Sequence, residues 1–421
     1  MDLLISRENI CLDDYFEVVF TIEFEKGENV SEIAKKIATD LNVGSWKTIK
    51  TLTSLSEKHL VLVIDELPRR KDVTCCQIRI AIPVLNIDPE IGGIPHLLSM
   101  LGMVFTLSFI KKIRLEEIAI PQSFAQKFTG PKFNFNDLLS LFQLKTIRPL
   151  IGFMIKPRVG YSTDEIIKIA KEILIGGADF ICDDDITVSP SCTPIYDRVK
   201  ALKQLVNEVE QKTGCRKHIM VNITSSPTNI IDIAKKCVEL GTGFFYVNPF
   251  VCGFSIIELL RKEFPNIPIV GSRTFHGVMT RDPSQGIDLS VFLKLARLCG
   301  IDAMQIGSIS GQSIHKHYED ENSLKKNIRC LREKFFNFKS STPVICGGID
   351  ISNISENIRI AGKEIIFQIG TGMLLHPDGP KSGAKAILDL IEGLSYGKTY
   401  EEILKSSKEL KKYWESRKNE T

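Results

Sequence analysis

The chain has no run of about 18 apolar residues, so no membrane-spanning helix is expected. Its 11 cysteines include no CxxC pair and no zinc-ligand spacing, and only Cys75 and Cys76 are adjacent. That excludes a disulfide framework and a structural zinc site. Charge of one sign is missing as well. There are 54 basic residues against 51 acidic, a net charge of +3, which gives no general nucleic-acid or membrane-surface signal. Asp2 and Glu8 come too early for a secretion signal, and there is no low-complexity tract. From these absences a reduced, cytoplasmic chain is expected. At 421 residues it is long enough for two domains.

From Ile151 onward one unit repeats: a short β-rich run ending in polar or glycine residues, then an amphipathic helical stretch. The runs are Ile151–Ile155, Phe180–Asp184, His218–Ile223, Phe244–Asn248, Pro268–Arg273, Ala303–Gly307, Pro343–Gly348 and Ile366–Gly372. Thr163–Ile175 and Asn229–Leu240 are representative helices between them. Eight such units over roughly 250 residues predict a (β/α)8 TIM barrel. The rival, a doubly wound open sheet, usually has fewer units, and no GxGxxG follows the first strand. The first 120 or so residues predict an α+β, ferredoxin-like domain. Its strands are Tyr15–Phe24, Trp46–Leu52, His59–Asp65, Thr74–Val84 and Ile113–Ile120; its helices are Ser31–Leu41 and Ile94–Phe105. The expected organisation is an α+β domain at 1–130, a linker at 131–150, the barrel at 151–400 and a C-terminal helix and tail at 401–421, whose lysine-rich stretch Lys405–Lys418 reads as solvated.

Barrel active sites lie where strands end, because the βα loops converge on one mouth. The first strand delivers Lys156 and Arg158. A lysine there polarises a carbonyl, shuttles a proton or binds phosphate; the bland reading is an exposed lysine just past a strand. The second strand delivers Asp183, Asp184 and Asp185, which need a cation, water or basic partners; Lys156 and Arg158 are the nearest candidates. Asn222 and Asn248 either orient a substrate oxygen or cap their loops. The fifth strand ends in Ser272 and Arg273, with His276 three residues on; the sixth carries Gln305 and leads to Gln312. Gly347-Gly348 and Gly370-Thr371-Gly372, after strands seven and eight, offer backbone N–H groups that can cradle phosphate.

Gly152 to Gly160 and Gly176 to Asp185 together resemble the active-site core of the RuBisCO large-subunit superfamily, and the two-domain layout is similar across nearly the whole chain. In carboxylating members the position of Cys182 carries a lysine that reacts with CO2 to form a carbamate, which with two carboxylates holds Mg2+. The resemblance puts those carboxylates at Asp184 and at Asp185, a glutamate in the family. It makes Lys156 the proton-handling lysine and gives phosphate to Arg273 and the glycine turns, with Thr371 replacing a glycine. His276 matches a histidine of the family. Arg158 stands for a second lysine, Ser272 for a histidine, Gln305 for a phosphate-binding histidine, Gln312 for the mobile-loop lysine, Cys346 for a substrate-binding serine and Met103 for an asparagine. The segment from Asp40 to Ser45-Trp46 resembles an arm that reaches into a neighbouring subunit's site, which implies a homodimer with shared sites.

Phosphate anchoring is thus kept better than the CO2-adding machinery. That tally resembles the non-carboxylating RuBisCO-like branch. The expectation is an isomerase or lyase, not a ribulose-bisphosphate carboxylase, that enolises or isomerises a phosphorylated keto-sugar such as a methylthio-pentulose phosphate of methionine salvage. Lys156, Asp184 and Cys346 would do the chemistry, with Mg2+ on Asp184 and Asp185 or a metal-free variant using Cys346 or Cys182 as proton carrier. The alternatives are a decarboxylase or hydrolase of a branched oxo-acid sugar phosphate, and a non-catalytic sugar-phosphate-binding or regulatory protein.

Overall fold

The computed structural model describes residues 3–44, 57–64, 74–309 and 320–418. Contacts divide the chain into two compact units. One comprises residues 1–129, 253–255 and 275–299; the other comprises 130–252, 256–274 and 300–421.

The smaller unit is built on a six-stranded mixed sheet. Tyr15–Glu23 runs antiparallel between Cys75–Pro83 and Lys112–Ala119, and Leu62–Ile64 lies antiparallel beyond Cys75–Pro83. The two edges are Leu4–Ile5 and Gly286–Ile287, each parallel to its neighbour. The second edge strand comes from far along the sequence, and no pattern announces a two-residue strand there. Helix Val30–Val43 buries Ile33, Ala34 and Ile37; Asn29 caps its start and Gly44, at φ 69°, ends it. Helices Gly93–Met103 and Leu289–Cys299 also belong to this unit.

The larger unit is a closed barrel of eight parallel strands, in chain order Leu150–Met154, Phe180–Cys182, His218–Asn222, Phe244–Val247, Ile269–Gly271, Ala303–Gly307, Thr342–Cys346 and Ile366–Ile369. All eight expected strands are present, with the α+β unit beside them in sequence. The strands are nearly all buried because helices cover the outside and side chains fill the inside. The stretch 131–150, expected as a linker, contains helix Phe135–Leu141, capped by a reciprocal Asn134–Asp137 box. Its Phe135, Leu138 and Leu139, with Phe142, join the barrel's interior core. Phe142 packs on Phe180, His218 and Phe244, the first residues of three strands, so this segment plugs the barrel at its N-terminal end.

Two aspartates placed just before strands lock that same end. Asp179 forms a bidentate pair with Arg148 at 2.7 and 2.8 Å and also accepts from Ile151 N. Asp302 pairs with Arg261 and accepts from the N–H groups of Lys132, Phe133 and Ile269. Both carboxylates are buried, so these saturated partner sets are what make them tolerable. The C-terminal helix Lys408–Lys418 keeps its lysines exposed, as expected, and docks its other face by burying Leu410 and Tyr413. No helix among the described residues is long and apolar enough to cross a membrane.

Candidate active site at the barrel mouth

Lys156 leaves the first barrel strand and donates to Asp184 Oδ2, with Arg158 Nε 3.3 Å from the same oxygen. Asp184 is fully buried, whereas the Arg158 side chain is 58% exposed, so Lys156 is the tighter partner. The stem of Lys156 crosses the end of the eighth strand: a Cβ on Gly370 would stand 2.8 Å from Lys156 Cε. A side chain at 370 would crowd that stem and make it shift.

The second strand stops at Cys182, so the three aspartates diverge instead of alternating. Asp183 turns to helix Ile195–Thr213, where Arg198 holds it at 2.8 and 3.0 Å, and it also accepts from Asn222 N. Asp185 Oδ1 accepts from Tyr246 OH and, at 2.5 Å, from Ser272 Oγ. Asn222 donates to the carbonyls of Asp184 and Asp185, and Asn248 donates to that of Thr274. Both asparagines brace loops.

Beneath the acids runs a buried amide belt. Gln305 Nε2 donates to Tyr246 OH and to Gln368 Oε1, at 2.6 and 2.7 Å, while its Oε1 accepts from Arg273 N. Gln368 Nε2 in turn faces Cys182 Sγ and Met220 Sδ. Gln305, expected on phosphate, has its amide committed to this belt. Cys182 is buried and donates to the Asp183 carbonyl. Burial, with the neighbouring aspartates adding to it, pushes its thiol well above the usual range. A thiol held protonated in this way does not suit the proton-carrier role considered for it.

Arg273 is buried at the end of the fifth strand, its guanidinium against Gly307: a Cβ there would lie 2.8 Å from Nη2. The Gly347 carbonyl accepts from Ser308 Oγ at 2.6 Å, and that of Gly348 from Asn353 Nδ2 at 2.7 Å. Gly347 and Gly348 both have left-handed backbone, at φ 93° and 64°. Gly370 opens the short turn Thr371–Met373, in which Thr371 is exposed. Tyr413, from the C-terminal helix, donates to the Gly372 carbonyl at 2.6 Å. Cys346 is buried at the end of the seventh strand.

The larger unit thus gathers Lys156, Arg158 and Gly370 around Asp184 and Ser272 onto the adjacent Asp185, and links Arg273 to Asp185 through Gln305 and Tyr246. His276 belongs to the other unit, where its carbonyl accepts from the N–H groups of Met279 and Thr280 in helix Gly277–Thr280. Met103 is half exposed there. Ser45, Trp46 and Gln312 lie outside the described residues. Sequence reasoning missed Tyr246, Gln368, Arg198 and Tyr413. Tyr246 and Gln368 sit on their strands rather than past them, and the signal was a polar atom in an otherwise apolar run.

Residues 138–416 match the family described as ribulose bisphosphate carboxylase large chain, catalytic domain, and residues 10–124 match its N-terminal domain. The chain belongs to the ribulose bisphosphate carboxylase large chain family. A ribulose bisphosphate carboxylase of Methanocaldococcus jannaschii is 32% identical over 406 residues, covering 92% of this chain and 95% of that protein. The octameric RuBisCO of Pyrococcus horikoshii, solved with sulfate, superposes with a TM-score of 0.89 at 29% identity, covering 98% and 96% of the two chains. The dimeric archaeal RuBisCO of Hyperthermus butylicus gives 0.87 at 26% identity, covering 98% of each.

These likenesses overturn the expected branch. Similarity spread over nearly the whole chain joins it to archaeal proteins named as carboxylases, not to the RuBisCO-like, non-carboxylating branch. The reading as an isomerase or lyase of methylthio-pentulose phosphates, the decarboxylase or hydrolase alternative, the non-catalytic binding alternative and the exclusion of ribulose-bisphosphate carboxylase fall with it. The error lay in taking a handful of altered pocket positions as marks of a branch.

The RuBisCO family uses Mg2+. The residues present do not fit the family's cage. Asp184 is paired with Lys156, Asp185 is held by Tyr246 and Ser272, and position 182 is a buried thiol. Among the described residues no group of three or more His, Cys, Asp or Glu side chains is arranged to hold a metal ion.

Proposed function

We propose that this chain is a ribulose bisphosphate carboxylase of the archaeal type and that the barrel mouth is its sugar-bisphosphate site. The observation that carries this reading is the likeness, over nearly the full length, to archaeal proteins of that name. The mouth supports it. Arg273 and the turns at Gly347-Gly348 and Gly370–Gly372 supply a guanidinium and backbone N–H groups for phosphate. Lys156 supplies the positive charge that an oxygen needs as the neighbouring carbon loses its proton. Asp185, steadied by Tyr246 and Ser272, is the carboxylate to receive that proton. Cys182 cannot form a carbamate, so charge at the reacting oxygens falls to Lys156 and Arg158.

The test is incubation with ribulose bisphosphate and labelled bicarbonate, with exchange of the substrate's carbon-bound proton followed in parallel. Sugar-dependent incorporation and exchange are expected. Both should fall by about 100-fold or more in Lys156→Met. A folded wild-type protein that does neither contradicts the assignment.

A further inference from the structure

The acids after the second barrel strand pose a question of charge. Asp183 and Asp184 are buried, and an unpaired carboxylate in such a place is strongly destabilising. Each of the three has its own partners: Arg198 for Asp183, Lys156 and Arg158 for Asp184, and the hydroxyls of Tyr246 and Ser272 for Asp185. The second oxygen of Asp184 accepts from Ile186 N at 3.3 Å. Three carboxylates meet three cationic side chains, so the cluster is balanced within the chain.

Lys156 is there by construction, its stem seated on Gly370. A magnesium ion demands a near-octahedral set of oxygens. Here it would have to displace the ammonium from Asp184. It would also find one oxygen of Asp185 doubly engaged and sulfur rather than oxygen at residue 182.

We propose that Lys156, backed by Arg158, serves at this mouth as a chain-borne cation in place of a divalent metal ion, so that the pocket takes a sugar bisphosphate without Mg2+. An ammonium has three donors. One is spent on Asp184, which leaves donors for a carbonyl or enediolate oxygen. The cation half of the proposal is independent of the substrate; the sugar half rests on the function proposed above.

The decisive experiment titrates the full chain with Mn2+, reading free ion by electron paramagnetic resonance, with Mg2+ calorimetry alongside. Wild type should show no saturable site below about 1 mM that depends on Asp184. Lys156→Met, checked for folding by circular dichroism, should gain Mn2+ affinity by about tenfold or more because the resident cation is gone. One tight equivalent in wild type, abolished by Asp184→Asn, overturns the proposal, as does a folded Lys156→Met that gains nothing. In a second measurement ribulose bisphosphate should raise the melting temperature equally in Mg2+ and in EDTA; a rise only with Mg2+ overturns it. If the sugar shifts neither sample, the substrate assignment fails, and the Mn2+ titration still decides the cation.

Discussion

Tyr246 shows how this mouth holds its charges. Its hydroxyl donates to Asp185 and accepts from Gln305, and burial, reinforced by Asp185, raises its pKa well above that of an ordinary tyrosine. It is therefore a fixed donor over any working pH. Tyr246→Phe removes that donor and leaves the Gln305 amide one partner short, a loss of roughly 1–3 kcal/mol for a buried group. The expected outcome is a folded protein with a lower melting temperature and turnover reduced about tenfold, with Ser272 still holding Asp185. Calorimetry and the proton-exchange assay check it. Lys156, Asp184 and Arg273 were legible in the sequence because charged side chains at strand ends stand out against apolar runs. Tyr246 and Gln368 were not, since their partners lie 61 and 63 residues away, on other strands. The separation of Asp183 from Asp185 was hidden for another reason. Alternation holds only while a strand continues, and this one stops at Cys182.

At the end opposite the mouth the barrel's elements are fastened by buried ion pairs. Asp179 and Asp302 each precede a strand, pair with an arginine and accept from a neighbouring strand's N–H. Such pairs and helix Phe135–Leu141 close the end opposite the mouth. His218 belongs to that closure. Its ring packs on Phe142 and Phe244, and its Nε2 faces the Leu141 carbonyl at 3.0 Å. Burial lowers its pKa below the usual 6.5. Above about pH 6.5 the ring is neutral in both folded and unfolded chains, and its titration costs nothing. As pH falls below that, the unfolded chain binds a proton that the folded chain refuses, so stability declines until the lowered folded pKa is passed. Urea unfolding between about pH 7.5 and 5 should show this loss, and His218→Phe should flatten it. All the barrel strands were legible from their period. The plug helix was not, because Gly130-Pro131 before it reads as a linker, and neither was the edge strand Gly286–Ile287, whose two residues carry no pattern.

For the molecule as a whole, the two-domain layout could be read from the sequence, but the branch of the family could not. Cys182, Gln305, Gln312 and Cys346 are few; the likeness to archaeal carboxylases is dispersed over about 400 aligned residues, and motif reading gives such dispersed agreement no weight. On the function proposed above, a mouth ringed by Lys156, Arg273 and the glycine turns receives a sugar bisphosphate. The most direct test is calorimetric titration of the full chain with ribulose bisphosphate, in wild type and in Arg273→Ala. Saturable binding is predicted, weakened about 10- to 100-fold in the variant by loss of a charged contact of roughly 1.5–3 kcal/mol. No binding to the folded wild type, or equal binding by both proteins, would contradict it.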